Sequence, residues 1–333
     1  MNPLPISVII PTRNEGQNIE AHLDGLKDLL AHAHEVIAVD SESSDGTTEV
    51  LERRISSLSI GRVFRQPRGL YQAWNFGVQN ATAEYVYFAT VGDLPLAGGV
   101  DALVAAAQSH SADVVLSPPL MRGANGDSAL RWPVHALTDL MPEGETLLLD
   151  AMMKLLLNYA FLPGQGILGS SASNLYRRQF LTDHPFPTDC GHGGDTVWGC
   201  RFADVARIVL HAKECAEFRY ESRSPGYDAP DQTLIYDALS RELALFRDQR
   251  RDAAGSVFLA GRRETHKFLL ESLRIQSQQF SYIGELKDEL EKRSALIEML
   301  DSECKRLAGE LTSKQNTSRP SIVRQIVDRL AGR

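Results

Sequence analysis

Short apolar runs early in the chain stop abruptly in polar loops that each carry an acid. Ile6-Ser7-Val8-Ile9-Ile10 runs into Pro11-Thr12-Arg13-Asn14-Glu15, and Val36-Ile37-Ala38-Val39 into Asp40-Ser41-Glu42-Ser43-Ser44-Asp45-Gly46-Thr47. Tyr85-Val86-Tyr87-Phe88-Ala89 runs into Thr90-Val91-Gly92-Asp93. Short apolar runs of this kind, closed by turn residues, read as strands. Stretches of helical spacing separate them. Ile19, Leu23, Leu26, Leu29 and Leu30 share one face of a helix predicted from Asn18 to Leu30, and further helices are predicted over Thr47–Ile55, Leu70–Gln79 and Val100–Gln108. Additional strands fall at Arg62–Arg65 and Val114–Leu116. This alternation predicts an α/β fold with a mostly parallel sheet and helices on its faces. Ligands of such sheets bind in the crevice at the carboxyl ends of the strands. Glu15, Asp40 and Asp93 are therefore expected to converge on one pocket.

The pattern weakens from Ser117 to Gly169 into loops and one apolar helix, Leu147 to Leu157, with a turn-rich stretch from Leu162 to Gly169. A helix over Asn174–Leu181, a loop over Thr188–Asp195, a helix through Phe202 and a strand at Ile208–Leu210 are predicted next. We place the first domain at residues 1–225, followed by a helical extension at 226–281. Ile283, Leu286, Leu290, Ile297, Leu300, Cys304, Leu307 and Leu311 then keep a 3-4 spacing broken only at Arg293. Residues 282–313 read as a coiled coil of about four heptads, or as a long amphipathic helix packed on its own subunit. Residues 314–333 form a linker and a short basic amphipathic tail, in which Ile322, Val323, Ile326, Val327 and Leu330 lie beside Arg324, Arg329 and Arg333. Such a face docks on a partner or rests on a membrane surface.

Composition narrows the classes. The 333 residues are 43% hydrophobic and 23% charged, as in ordinary soluble proteins. A net charge of −8 argues against a nucleic-acid binder, which needs a basic face for phosphates. Cys190, Cys200, Cys215 and Cys304 show no Cys-x-x-Cys spacing, so neither a zinc site nor a redox pair is indicated and a reducing compartment is expected. No basic segment followed by an apolar stretch opens the sequence, so no signal peptide is expected. No run reaches the roughly 20 apolar residues that span a bilayer. These observations give a cytoplasmic protein, with the basic tail offering contact at the inner face of the membrane.

The order of motifs carries a resemblance. Ile6-Ser-Val-Ile-Ile-Pro-Thr-Arg-Asn-Glu15, then Val39-Asp40 with Ser44-Asp45-Gly46-Thr47, then Gly-x-x-x-Ala-x-Asn at Gly69, Ala73 and Asn75 resembles the inverting family 2 glycosyltransferases of GT-A fold. The likeness is close over residues 5 to about 117 and fainter to about 222. It implies transfer of a sugar from a nucleotide-sugar, with UDP as nucleotide, to a carbohydrate acceptor in polysaccharide or glycoconjugate synthesis. By the same resemblance Pro11, Thr12, Asn14 and Glu15 line the nucleoside pocket, Asp40 contacts the base, and Arg68 and Gly69 approach the diphosphate. Carboxylates suit ribose hydroxyls and the uracil N–H, because both are donors. Asp45 and Gly46 read as turn formers instead.

Two departures stand out. Family members carry Asp-x-Asp, a divalent metal motif, where this chain has Thr90-Val91-Gly92-Asp93; similar members carry Asn-x-Gly-Asp there. Magnesium or manganese would be held by Asp93 with a Thr90 oxygen and the substrate phosphates. Without it, Arg68, Arg177 or Lys213 would neutralise the diphosphate. The family's Gly-Glu-Asp loop, whose Asp is the catalytic base, is matched by Gly193-Gly194-Asp195, with glycine in the Glu position. Asp195 is thus the candidate base, or simply a helix N-cap. Trp74 and Trp198 are expected in the core. A catalytically silent GT-A domain that acts as a coiled-coil scaffold is the alternative reading. The coiled coil also offers a route to homo-oligomers.

Overall fold

A computed structural model describes residues 3–123, 126–127, 133–139, 141–149, 168, 171–202 and 205–219. Its elements in chain order are β1 (Leu4–Thr12), α1 (Ile19–Gly25), α2 (Lys27–His32), β2 (Ala33–Asp40), α3 (Thr47–Arg54), β3 (Gly61–Arg65), α4 (Leu70–Asn80), β4 (Tyr85–Phe88), β5 (Leu94–Pro95) and α5 (Gly99–His110). They continue with β6 (Val114–Leu116), β7 (Leu120–Gly123), β8 (Gly126–Asp127), α6 (Pro133–Thr138), β9 (Thr146–Leu148), β10 (Asn174–Arg177), α7 (Arg178–Asp183), α8 (Gly194–Phe202), β11 (Ile208–His211) and β12 (Ala216–Arg219).

Eight strands form one sheet in the order β3-β2-β1-β4-β10-β6-β11-β9. Strands β1, β2, β3, β4, β6 and β11 point one way, while β10 opposes β4 and β6, and β9 opposes β11. The expected mostly parallel α/β sheet is present. A smaller sheet, ordered β5-β12-β7-β8, follows the fourth strand and had no counterpart in the sequence pattern.

The central strands β1, β2, β4, β6 and β11 are buried on both faces, which is why they read as apolar runs. Successive side chains alternate sides. Ile6, Val8, Ile10, Tyr85 and Tyr87 pack under α1, α2, α3 and α5 on one face. Ile9, Val39, Val86 and Phe88 pack under α4, α7 and α8 on the other. Trp74 stacks on Phe88 with centroids 4.1 Å apart, and Trp198 is fully buried, so both tryptophans are core residues as expected.

Three local expectations are corrected. The helix predicted from Asn18 to Leu30 is interrupted at Leu26, directly after Gly25. Glycine weakens a helix interior. It also admits Leu94, whose Cδ2 would lie 2.7 Å from a Cβ at position 25. The helix predicted over Asn174–Leu181 is instead β10 followed by α7. Leu175 buries on one face of the sheet and Tyr176 on the other, a two-residue period that a short apolar run cannot distinguish from a helix. The helix placed at Leu147–Leu157 begins in β9; its remainder, from residue 150, lies outside the described residues. The helical extension at 226–281, the coiled coil at 282–313 and the tail at 314–333 also lie outside them. Among the described residues no helix is long and apolar enough to cross a membrane.

Candidate active site

The parallel strands deliver their loops to one end of the sheet, with Thr12 in register with Asp40 and Asp40 with Arg65. There the β1–α1 and β2–α3 loops are laced together. The Asn14 N–H donates to Ser43 Oγ at 2.8 Å, the Ser44 N–H to Asn14 Oδ1 at 3.0 Å, and the Glu15 N–H to Thr47 Oγ1 at 2.8 Å. Asn14 adopts φ 52°, a left-handed conformation that Asn tolerates better than most residues. Glu15 accepts the Asn18 side-chain N–H at 3.0 Å, and its carbonyl receives the Asn18 and Ile19 N–H groups that open α1.

Asp40 is fully buried and accepts four hydrogen bonds: from Thr12 Oγ1, Ser43 Oγ, the Ser43 N–H and Thr48 Oγ1. Those bonds occupy the usual acceptor positions of a carboxylate. Its evident work is to hold the β2–α3 loop in shape. Asp45 accepts the Gly16 N–H at 2.8 Å and both the N–H and hydroxyl of Thr47. Burial works to raise its carboxyl and these bonds outweigh it, holding it below the usual range. That is the turn-forming part expected of it.

Pro11 is a buried residue of β1 paired with Val39. Arg68 is exposed on the β3–α4 loop, and Gly69 caps α4. After β4 the chain turns through Gly92 at φ 100°, with the Asp93 N–H donating to the Thr90 carbonyl. Thr90 Oγ1 lies 3.0 Å from Ser171 Oγ. Asp93 is buried, and one of its oxygens accepts the Arg219 N–H of β12 at 3.2 Å.

Asp195 reaches the same end by a detour. Strand β10 starts beside Leu116 at the crevice end and finishes beside Tyr85 at the far end. After α7 the chain climbs back along α4. Asn75 Nδ2 donates to the Phe186 carbonyl at 2.8 Å, Gln72 Nε2 to the Thr188 carbonyl at 3.3 Å, and the Tyr71 hydroxyl to the Asp195 carboxylate. Helix α4 begins just after β3 ends, so its first turn lies with the loops of the crevice. Burial raises the Asp195 carboxyl above its usual range, against hydrogen bonds from Tyr71 and Thr196.

The detour displaces the arginines. Arg177 pairs with Glu84 at 2.8 Å and lies over the Tyr85 ring at the far end, and Arg178 donates to the Ala83 carbonyl there. Arg177 is therefore not a diphosphate cation. Lys213 follows β11 at the crevice end. Position 194 also acquires a reason. A Cβ there would stand 2.5 Å from the Tyr71 ring and 2.8 Å from the Pro187 carbonyl, so the site admits only glycine.

The family model for glycosyl transferase family 2 matches residues 7–182, just over half of the chain. The chain belongs to this family. It is a glycosyltransferase. Among solved structures, S. aureus TarS 1–349 superposes with a TM-score of 0.56 at 20% identity, over 84% of this chain and 73% of that one. TarS 1–349 in complex with UDP-GlcNAc gives 0.51 at 18% identity, over 84% and 81%. These likenesses carry the fold, a GT-A-like α/β arrangement. In this family 2 chain the β1–α1 and β2–α3 loops are hydrogen-bonded to each other, and the loop after β4 leaves the same end of the sheet. Tyr71 and Gln72 were not singled out. The signal for Tyr71 was present: Tyr71 and Asn75 stand four apart, on one face of the helix that carries the Gly-x-x-x-Ala-x-Asn pattern.

Proposed function

We propose that this glycosyltransferase moves a sugar from a UDP-sugar to a carbohydrate acceptor with inversion, in polysaccharide or glycoconjugate synthesis. One observation carries the reading: the interlaced β1–α1 and β2–α3 loops share an end of the sheet with a half-buried carboxylate, Asp195, on the first turn of α8. UDP is chosen because TarS, of the same fold, has been solved with UDP-GlcNAc.

In this proposal Pro11, Thr12, Asn14 and Glu15 receive the nucleoside. Asp40 organises the loop that meets the base, and Arg68 and Gly69 adjoin the diphosphate. The acceptor hydroxyl attacks the anomeric carbon opposite the UDP oxygen. As the new C–O bond forms and the bond to UDP breaks, Asp195 takes the hydroxyl proton. Burial makes that carboxylate a stronger base than an exposed one, which favours proton transfer near neutral pH.

Among the described residues no cluster of three or more His, Cys, Asp or Glu side chains is gathered. Asp93 beside Thr90 is a one-carboxylate donor set, which fits magnesium or manganese completed by phosphates and water. Such a cation would offset charge on the departing diphosphate.

A panel of nucleotide sugars, assayed for hydrolysis with and without manganese, identifies the donor. Asp195→Asn is expected to bind UDP as the parent does and to lose transfer about 10²–10⁴-fold. Full transfer by that variant removes Asp195 from the chemistry. Calorimetry showing no binding of UDP with manganese would favour the silent scaffold.

A further inference from the structure

We infer that Tyr71 is the positioning residue of the base: its hydroxyl fixes the Asp195 carboxylate while its ring seats the Gly194 backbone. The inference rests on the reading of Asp195 as base.

Tyr71 stands on the first turn of α4 and is 3% exposed. Its ring meets Trp74 edge-on at 5.2 Å and stacks on Phe186 at 5.7 Å. Trp74 in turn stacks on Phe88 of the central strand. The ring is thereby held in one orientation, and its hydroxyl points one way. The glycine at 194 lets the backbone just before the base rest against that ring, where any Cβ would collide.

Asp195 also accepts from the Thr196 N–H at 2.7 Å and the Thr196 hydroxyl at 3.4 Å. Both belong to its own helix and fix it only relative to α8. Tyr71 ties it to a different element, the helix that begins at the nucleotide end of the sheet. A base must lie within hydrogen-bond reach of the acceptor proton, and a misplacement of about 1 Å costs around a hundredfold in rate. Tyr176 on β10 also faces Asp195, as a phenol whose proton burial and the carboxylate both retain. Asp189 and Cys190 of the preceding loop pair with each other.

The test uses the full chain and Tyr71→Phe, which removes one oxygen and keeps the ring. The Asp195 carboxyl is followed by ¹³C NMR titration, with Asp195→Asn assigning the signal. Its midpoint is expected to rise in Tyr71→Phe while UDP affinity and Tm stay near the parent's. Hydrolysis of the UDP-sugar that the donor panel identifies is expected to show kcat reduced about tenfold, one charge-assisted hydrogen bond's worth, with KM unchanged and the acid limb moved to higher pH. An unmoved midpoint overturns the inference and leaves the base assignment standing. Undiminished activity in Asp195→Asn overturns both. Gly194→Ala, which pushes the backbone off the ring, is expected to move the midpoint as well.

Discussion

Asn75 and Phe186 clasp each other through both ends of one amide: Nδ2 donates to the Phe186 carbonyl at 2.8 Å, and the Phe186 N–H donates to Oδ1 at 3.0 Å. The two residues are 111 positions apart, so the clasp pins the return path of the chain to α4. Asn75→Ala leaves a carbonyl and an N–H without protein partners. We expect a loss of about 1–3 kcal/mol in urea unfolding. Transfer should fall more than UDP binding, and equal losses of the two would argue against a role specific to the base.

At the opposite end of the sheet Glu35 is buried and accepts from Ser7, from the N–H and hydroxyl of Thr82, and from Arg62. Burial pushes its carboxyl up, but these bonds prevail and hold it below the usual range. A carboxyl depressed in the folded state stabilises above its unfolded pKa of about 4.3, and that stability is lost as pH falls through the folded value. Glu35→Gln should cost about 1–3 kcal/mol at pH 7. The deficit should shrink in unfolding curves below pH 4; a deficit independent of pH would point to shape rather than charge.

His22 acts in a higher window. It is a buried residue of α1, with Nε2 on the Ala89 carbonyl at 3.2 Å and Nδ1 without a hydrogen-bond partner. Burial lowers its pKa to about 4. The unfolded chain binds this proton first, so the contribution is intact above about pH 6.5 and drains away as pH falls toward 4. The full swing is on the order of 3 kcal/mol. Unfolding free energy measured from pH 7 to 4 should drop less steeply in His22→Gln. A slope identical to the parent's would assign the acid sensitivity elsewhere.

For the metal, EDTA should abolish transfer and manganese restore it. Asp93→Asn should raise the manganese concentration needed for half-maximal rate by tenfold or more, about 1.4 kcal/mol of lost charge pairing. Undiminished transfer in EDTA would shift diphosphate neutralisation to Arg68 and Lys213.

Much of this was legible in the sequence. Strands such as Ile6–Ile10 and Tyr85–Ala89 are apolar on both faces, and their loops carry the residues that distinguish the crevice. Asp40 illustrates the limit: its residue type suits ligand contact, but Thr12, Ser43 and Thr48, which together fill its acceptor positions, become visible only in three dimensions. Asn174–Arg177 was misread because four residues fit either period. Arg177 followed it to the wrong end of the sheet. Glycine in the Glu position at 194 has a steric reason that only the Tyr71 ring reveals.

The excursion through β10 also sets an order of assembly. The β1–α1 and β2–α3 loops, proposed to receive the nucleotide, close between neighbours some thirty residues apart, as in the bond from Ser44 to Asn14. Asp195 comes to rest only after β10 has joined β4 to β6 and the chain has returned along α4, the return being pinned by contacts 111 and 116 residues apart. Contacts that close large loops form late because their entropy must be met first. A refolding chain should therefore regain its grip on UDP before it regains transfer, and so pass through a stage that holds donor without being able to spend it.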